Sequence, residues 1–259
     1  MTDFATALWA LWPNGDQFIP GLRKGIVDSA PAVFAKYGVK SPIVLAHLMA
    51  QISHECGAGH DVVENLNYTA SRMMQVWPSR FPTVGDAAPY VKSPRALANK
   101  VYGGRMGNRI NANDGWDFRG RGATQTTGFD GYRALATRTG LDLVKNPDLV
   151  NDPQYFLECG VADFILCGCM SYALADDIVG VTKKLNGGLI GLDQRREWLA
   201  KWKARSVPVP VAVTVAPQPV PVPQPVPSIP VPPVVVVKPK QSWIASILSA
   251  FISFFKKGK

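Results

Sequence analysis

Twelve prolines fall between Val207 and Pro239, mostly alternating with valine. Each fixes φ and removes a backbone donor, so neither a helix nor a sheet ladder can run through the stretch. Extended polyproline II is what remains. At roughly 3.1 Å per residue the tract is a semi-rigid spacer on the order of 100 Å long. A folded core is therefore expected in residues 1–205, followed by a Pro/Val-rich linker over 206–240 and a separate segment over 241–259.

Charge follows the same division. Residues 1–205 hold 23 Lys/Arg and 19 Asp/Glu, a net of +4, whereas residues 206–259 hold no acid and five lysines, a net of +5. Over half of the total +9 thus sits beyond residue 205. Such a chain favours anionic partners. In 241–259, Trp243, Ile244, Ile247, Leu248, Phe251, Ile252, Phe254 and Phe255 are apolar. Ser242, Ser246, Ser249 and Ser253 make one narrow polar stripe at helical spacing, and Lys256, Lys257 and Lys259 close the segment. The run is shorter than the ~18 residues that span a bilayer. It reads as an amphipathic cationic helix for an anionic membrane or outer-envelope surface. Nucleic acid has only the net charge behind it and is not expected as a partner.

Cys56, Cys159, Cys167 and Cys169 match no zinc-site spacing. Buried free thiols are expected, with Cys167-Gly168-Cys169 as a redox pair the alternative. The start lacks a basic n-region and a small-residue cleavage site, so synthesis in a cytoplasm without a signal peptide is expected. Periodicity predicts helices over 20–38, from Ser41-Pro42 onward, and over 93–102, 129–139, 153–168, 176–185 and 193–204. A short helix is expected around Met73, Met74 and Trp77. The Gly/Asn-dense stretch 103–122 predicts loops with a small hairpin. The fold class is mainly α with irregular loops.

Two stretches carry chemistry. In the first, Leu45, Leu48, Met49 and Ile52 recur at helical spacing and Glu55 continues the stripe through Leu48 and Ile52. Read this way the helix is amphipathic and Glu55, partly desolvated, holds its proton longer than a free glutamate. Gly57 and Gly59 then break the helix. Glu64 follows among polar and aromatic neighbours in Glu64-Asn65-Leu66-Asn67-Tyr68, where it is expected to stay ionised. One protonated and one ionised carboxyl is what glycosidic hydrolysis needs. Spacing alone is weak support, since many glutamates are solvated surface charges. The second stretch runs from Asp114 to Gly128. Its glycines admit close backbone approach. Trp116 and Phe118 offer flat faces, and Arg119, Arg121, Gln125 and the threonines offer directed hydrogen bonds. No Gly-Lys-Ser/Thr follows, which argues against a nucleotide site.

Four motifs occur in order: His54-Glu55-x-Gly57, Glu64-Asn65-Leu66-Asn67-Tyr68, Gly115-Trp116-x-Phe118-Arg119-Gly120-Arg121-Gly122-x-x-Gln125-x-Thr127-Gly128, and Leu185-Asn186-Gly187-Gly188. Together they resemble glycoside hydrolase family 19, the chitinase-like enzymes, and especially the bacteriophage endolysins of that fold. The resemblance covers roughly residues 20–204. It implies a two-lobed, lysozyme-like helical domain with a cleft, and an inverting mechanism without metal or organic cofactor. Glu55 matches the general acid, Glu64 the general base, and Thr127 the residue that helps place the water. Gln125 and Asn186 match substrate-binding positions, which Trp116, Tyr68 and Arg121 are expected to join. Arg195 matches the arginine that pairs with the carboxylates, with Arg196 as the alternative register. One position departs: the family's Asn-Tyr is Gly131-Tyr132 here, so substrate preference does not carry over from the chitinases.

The expected function is hydrolysis of β-1,4 bonds in peptidoglycan glycan strands for host cell lysis, by a monomer acting at the bacterial cell wall. The alternatives are a chitinase, or a membrane-active antibacterial protein with a secondary glycosidase site.

Overall fold

The computed structural model describes residues 2–211. The rest of the spacer and the expected helix in 241–259 lie outside the described residues. Helices follow in the order α1 (Phe4–Leu11), α2 (Leu22–Tyr37), α3 (Pro42–Glu55), α4 (Ala70–Val76), α5 (Val84–Ala87) and α6 (Pro94–Tyr102). Then come α7 (Asp114–Asp117), α8 (Phe129–Thr139), α9 (Phe156–Leu166), α10 (Met170–Leu174), α11 (Ile178–Asn186) and α12 (Leu192–Ala204). The protein is mainly helical, as its patterning predicts.

Two apolar clusters divide the described residues. The larger gathers α1–α3 and α8–α12. The smaller is built by Leu66, Met73, Phe81, Ala87, Leu97, Ala98, Val101 and Tyr102, with Tyr68, Trp77 and Trp116 packed against it. Proline at the first helical position starts α3 and α6 without loss of an intrahelical bond. Thr69 caps α4 through its side chain, which accepts from the Arg72 N–H.

α3 is not amphipathic. Every residue from Val44 to Ser53 is buried, as in a helix packed on all sides. The reason lies in its polar residues. Gln51 and Ser53 carry no net charge, and each finds a partner inside. Ser53 Oγ accepts from the indole N–H of Trp12 (2.8 Å) and of Trp202 (3.0 Å), tying α3 to the segment after α1 and to α12. Truncating Leu48 or Ile52 here to alanine costs about 2–5 kcal/mol.

The expected hairpin in 103–122 is absent. Within the described residues the only β pairing is two isolated bridges, Val63 with Arg121 and Arg121 with Thr126. The stretch instead holds α7, anchored to α6 by Asn99: its Nδ2 donates to Asn113 Oδ1 (3.0 Å) and its Oδ1 accepts from the Trp116 N–H (2.9 Å). Asn side chains that close local turns compete with a ladder.

The four cysteines are free; Cys56, Cys159 and Cys169 are buried and Cys167 is half-buried. Burial raises every thiol, to about 12 for Cys56 and Cys169, which makes them unreactive. Val207 is buried on the larger cluster and Val209 packs beside it, so the folded body continues past 205. Among the described residues no helix is long and apolar enough to cross a membrane.

Candidate active site

Glu55 is the last residue of α3, delivered by a helix whose position is fixed on every side. The chain leaves it sharply. Gly59 has φ +96°, and a Cβ there would sit 2.5 Å from the Gly15 carbonyl oxygen, so only glycine fits. Across from Glu55 stands Arg195, in the first turns of α12 and fully buried. Its Nη2 donates to Glu55 Oε1 at 2.5 Å and its Nη1 to Gln51 Oε1. Gln51 and Glu55 lie four apart on one face of α3, so one planar guanidinium reaches both. Arg196, the alternative register, is half-exposed and pairs with Asp193 at 3.1 Å.

His54 beside this pair is pushed down to about 3, first by burial and then by the Arg195 charge, so its ring is neutral. A third carboxyl approaches from α9. Asp163 is pushed up to about 6, first by burial, with the Glu55 charge adding and a hydrogen bond from Thr124 opposing.

Glu64 stands in a different setting. It is 7% exposed and both its oxygens are held by neutral donors. The Gly120 N–H donates to Oε1 and the Tyr102 hydroxyl to Oε2, each at 2.7 Å. The Glu64 N–H in turn donates to the Gly120 carbonyl at 2.9 Å. Glu64 does not keep an ordinary carboxylate's ionisation. Burial raises it to about 7, and the two hydrogen bonds and the Arg119 and Arg121 charges recover only part of the cost. The expectation from its polar sequence neighbours fails because Asn65 and Asn67 are exposed while Tyr102 and the Gly120 backbone enclose the carboxylate.

Gly120 is the pivot of this side. A Cβ on it would lie 3.0 Å from Gln125 Oε1, 3.2 Å from Thr127 Oγ1 and 3.5 Å from Glu64 Cβ. Three predicted residues thus meet around one missing side chain. Thr127 Oγ1 donates to the Gln125 carbonyl at 2.8 Å, and Gln125, at φ +55°, donates through Nε2 to the Asp61 carbonyl.

The other predicted residues each have neighbours of their own. Tyr68 is half-buried, feels the Glu64 charge and packs on Trp77 with ring centroids 5.2 Å apart. Trp116 has the Arg119 guanidinium 3.8 Å from its ring centroid and Arg95 at 5.6 Å, so its ring is already engaged by cations. Arg121 is 2% exposed and spent on the Asp117 carbonyl (2.7 Å), Tyr132 Oη (3.1 Å) and Asp148 (2.9 Å). Asn186 is fully buried, its Nδ2 donating to the Ile190 carbonyl at 3.2 Å and its Oδ1 without a partner. Among the described residues no three His, Cys, Asp or Glu side chains converge as a metal site.

Gln51, Asp163 and Tyr102 lie outside the four sequence motifs. Gln51 alone left a signal, the four-residue spacing to Glu55.

A helical protein with two buried carboxyls, one against an arginine and one against neutral donors, has the makings of an acid–base glycosidase. A relative from Haemophilus influenzae, a glycosyl hydrolase family 19 domain-containing protein, is 32% identical over 181 residues, 70% of this chain and 88% of that one. The chain belongs to glycoside hydrolase family 19 and is a glycosidase of the chitinase/lysozyme class. No protein-family profile matches it. Chitinase C from Streptomyces griseus shares the fold at a TM-score of 0.52 and 18% identity, with 79% of this chain and 93% of that one covered. A mutant of chitinase C superposes at 0.51 and 15% identity, covering 79% and 92%.

Proposed function

We propose that the protein is an endolysin that hydrolyses β-1,4 bonds of peptidoglycan with inversion. Glu55 protonates the leaving oxygen through Oε2, since Arg195 holds Oε1. Glu64 takes a proton from a water that Thr127 helps to place. The observation that carries this reading is the convergence of Glu64, Thr127 and Gln125 on Gly120. Peptidoglycan is favoured over chitin by the cationic apolar segment 241–259, which suits a protein that must engage an anionic bacterial envelope. Purified peptidoglycan and chitin, offered in parallel, test it. Mass spectrometry of the new reducing ends names the bond cut. Soluble sugars from chitin alone reject the proposal. Chitin is the second reading because both solved structures of this fold named above are chitinases.

The burial that raises Glu64 to about 7 also supports an exchange of roles, with Glu64 as the donor. The two assignments separate cleanly. A variant lacking the acid keeps activity on substrates with an activated leaving group, whereas one lacking the base is rescued by azide. Azide rescue of Glu55→Ala and not of Glu64→Ala would reverse the roles.

A further inference from the structure

Tyr102 has no place in the four sequence motifs. It ends α6, belongs to the smaller cluster, and is 1% exposed. Its hydroxyl donates 2.7 Å to Glu64 Oε2, across 38 residues of sequence. Its main chain is fixed as well. Asn108 Nδ2 donates to the Tyr102 carbonyl at 3.1 Å, while Asn108 Oδ1 accepts from the Phe129 N–H at 2.9 Å. The buried Asn108 therefore ties the end of α6 to the start of α8, and Tyr102 is locked against the segment that carries Gly120, Gln125 and Thr127.

We propose that Tyr102 is the positioning residue of Glu64: its hydroxyl fixes the carboxylate's orientation and stabilises its charged form from the smaller cluster. This rests on Glu64 being one of the two reacting carboxyls, in either role. A phenol can only donate to a carboxylate, and a bond donated to the charged form favours that form. Tyr102 keeps its own proton, being held well above the ordinary phenol range by burial and then by the Glu64 charge and hydrogen bond. The other groups facing the pair are Tyr68 on the Tyr102 side and, on the Glu64 side, Arg119 and Arg121, with Tyr132 beyond them and Arg105 near the Tyr102 ring. Both arginines act on Glu64 through charge and neither donates to it, which leaves the Gly120 N–H and the Tyr102 hydroxyl as the bonds to its carboxylate among the described residues.

The test is Tyr102→Phe in the full-length protein, with glutamate carbonyl-13C NMR reading the Glu64 titration and Glu64→Gln assigning its signal. The midpoint should rise by on the order of one pH unit. Placing 3-fluorotyrosine at 102 makes a stronger donor and should lower it. On whichever glycan the wild type cleaves, the Glu64-dependent limb of kcat/KM should move with the midpoint, and KM should stay put because Tyr102 does not reach substrate. With Glu64 as base, the loss is about 10-fold one unit below the wild-type limb and falls within about twofold well above it. An unmoved Glu64 midpoint in folded Tyr102→Phe overturns the proposal. Full activity of Glu64→Gln instead sinks the reading of Glu64 as reactive, and the titration still judges Tyr102.

Discussion

The wall that carries Glu55 is ionic, and the wall that carries Glu64 is made of neutral donors. Glu55 sits beside Ile52 and Cys56 of the larger cluster with a buried guanidinium on one oxygen. Glu64 follows Val62 of the larger cluster and precedes Leu66 of the smaller, with a phenol and a peptide N–H on its two oxygens. Both carboxyls are nearly closed to solvent. Desolvating a carboxylate is costly in either place, but a cation offsets it far better than neutral dipoles do. The difference shows two ways in which one small domain can hold a buried carboxyl, by a cation and by neutral hydrogen bonds. Arg195 is set by helix packing, since α3 and α12 are pinned through Ser53 and Trp202. Gly120 is set by a loop in which a Cβ would press within 3.0 Å of Gln125 Oε1 and 3.2 Å of Thr127 Oγ1.

The largest effects should come from breaking the ionic wall. Glu55→Gln should lower hydrolysis by about 10²–10⁴-fold. It should also destabilise the fold by about 3–5 kcal/mol, because Arg195 is left as an unpaired buried charge. Denaturant unfolding beside a turbidity assay on purified glycan reads both. A Glu55→Gln, Arg195→Met double variant should recover much of the stability and none of the activity. If Glu55→Gln is as stable as the wild type, the pair is not the buried ionic contact drawn here.

Glu64→Gln should cost similar activity and do the opposite to stability. A carboxyl whose folded pKa lies above its unfolded value binds its proton more tightly when folded. The stability it lends is full below the ordinary value of 4.5 and is lost as pH rises through about 7. Glutamine carries no such loss. The variant should therefore match the wild type near pH 4 and exceed it above pH 7, by on the order of 3 kcal/mol. His54 runs the other way. Its folded value of about 3 lies below the ordinary 6.5, so its contribution is lost as pH falls from 6.5 toward 3. Unfolding midpoints of both proteins across pH 3–9 would show the window; a constant offset between them would contradict it.

How much of this could be read in the sequence differs between the two walls. α3 and its break at Gly57 and Gly59 follow from local spacing, and the family resemblance implies an arginine at 195 or 196 that pairs with the carboxylates. Helical periodicity names residues that share a face, and Gln51 and Glu55 share one. It does not say what covers that face, so α3 reads as amphipathic until α9, α10 and α12 close around it. The Glu64 wall was largely invisible. Tyr102 lies 38 residues and a separate cluster away from its partner. Gly120 N–H is a backbone group that any residue could supply. Trp116 and Arg121 read as ligand contacts by residue type, yet each is occupied by neighbours that only folding brings near.

A smaller effect would sharpen the contrast from the opposite direction. Ser53→Ala removes the oxygen that both indole N–H groups share, one residue before His54 and two before Glu55. Two buried donors are then unsatisfied, at a cost of about 1–3 kcal/mol each if no other acceptor is found. Because the loss sits wholly in the larger cluster, Trp fluorescence and unfolding midpoint should change while the Glu64 titration midpoint stays where it was. A Ser53→Ala variant that moves the Glu64 midpoint would mean that the two walls are mechanically coupled through α3, and that the ionic wall helps set the neutral one.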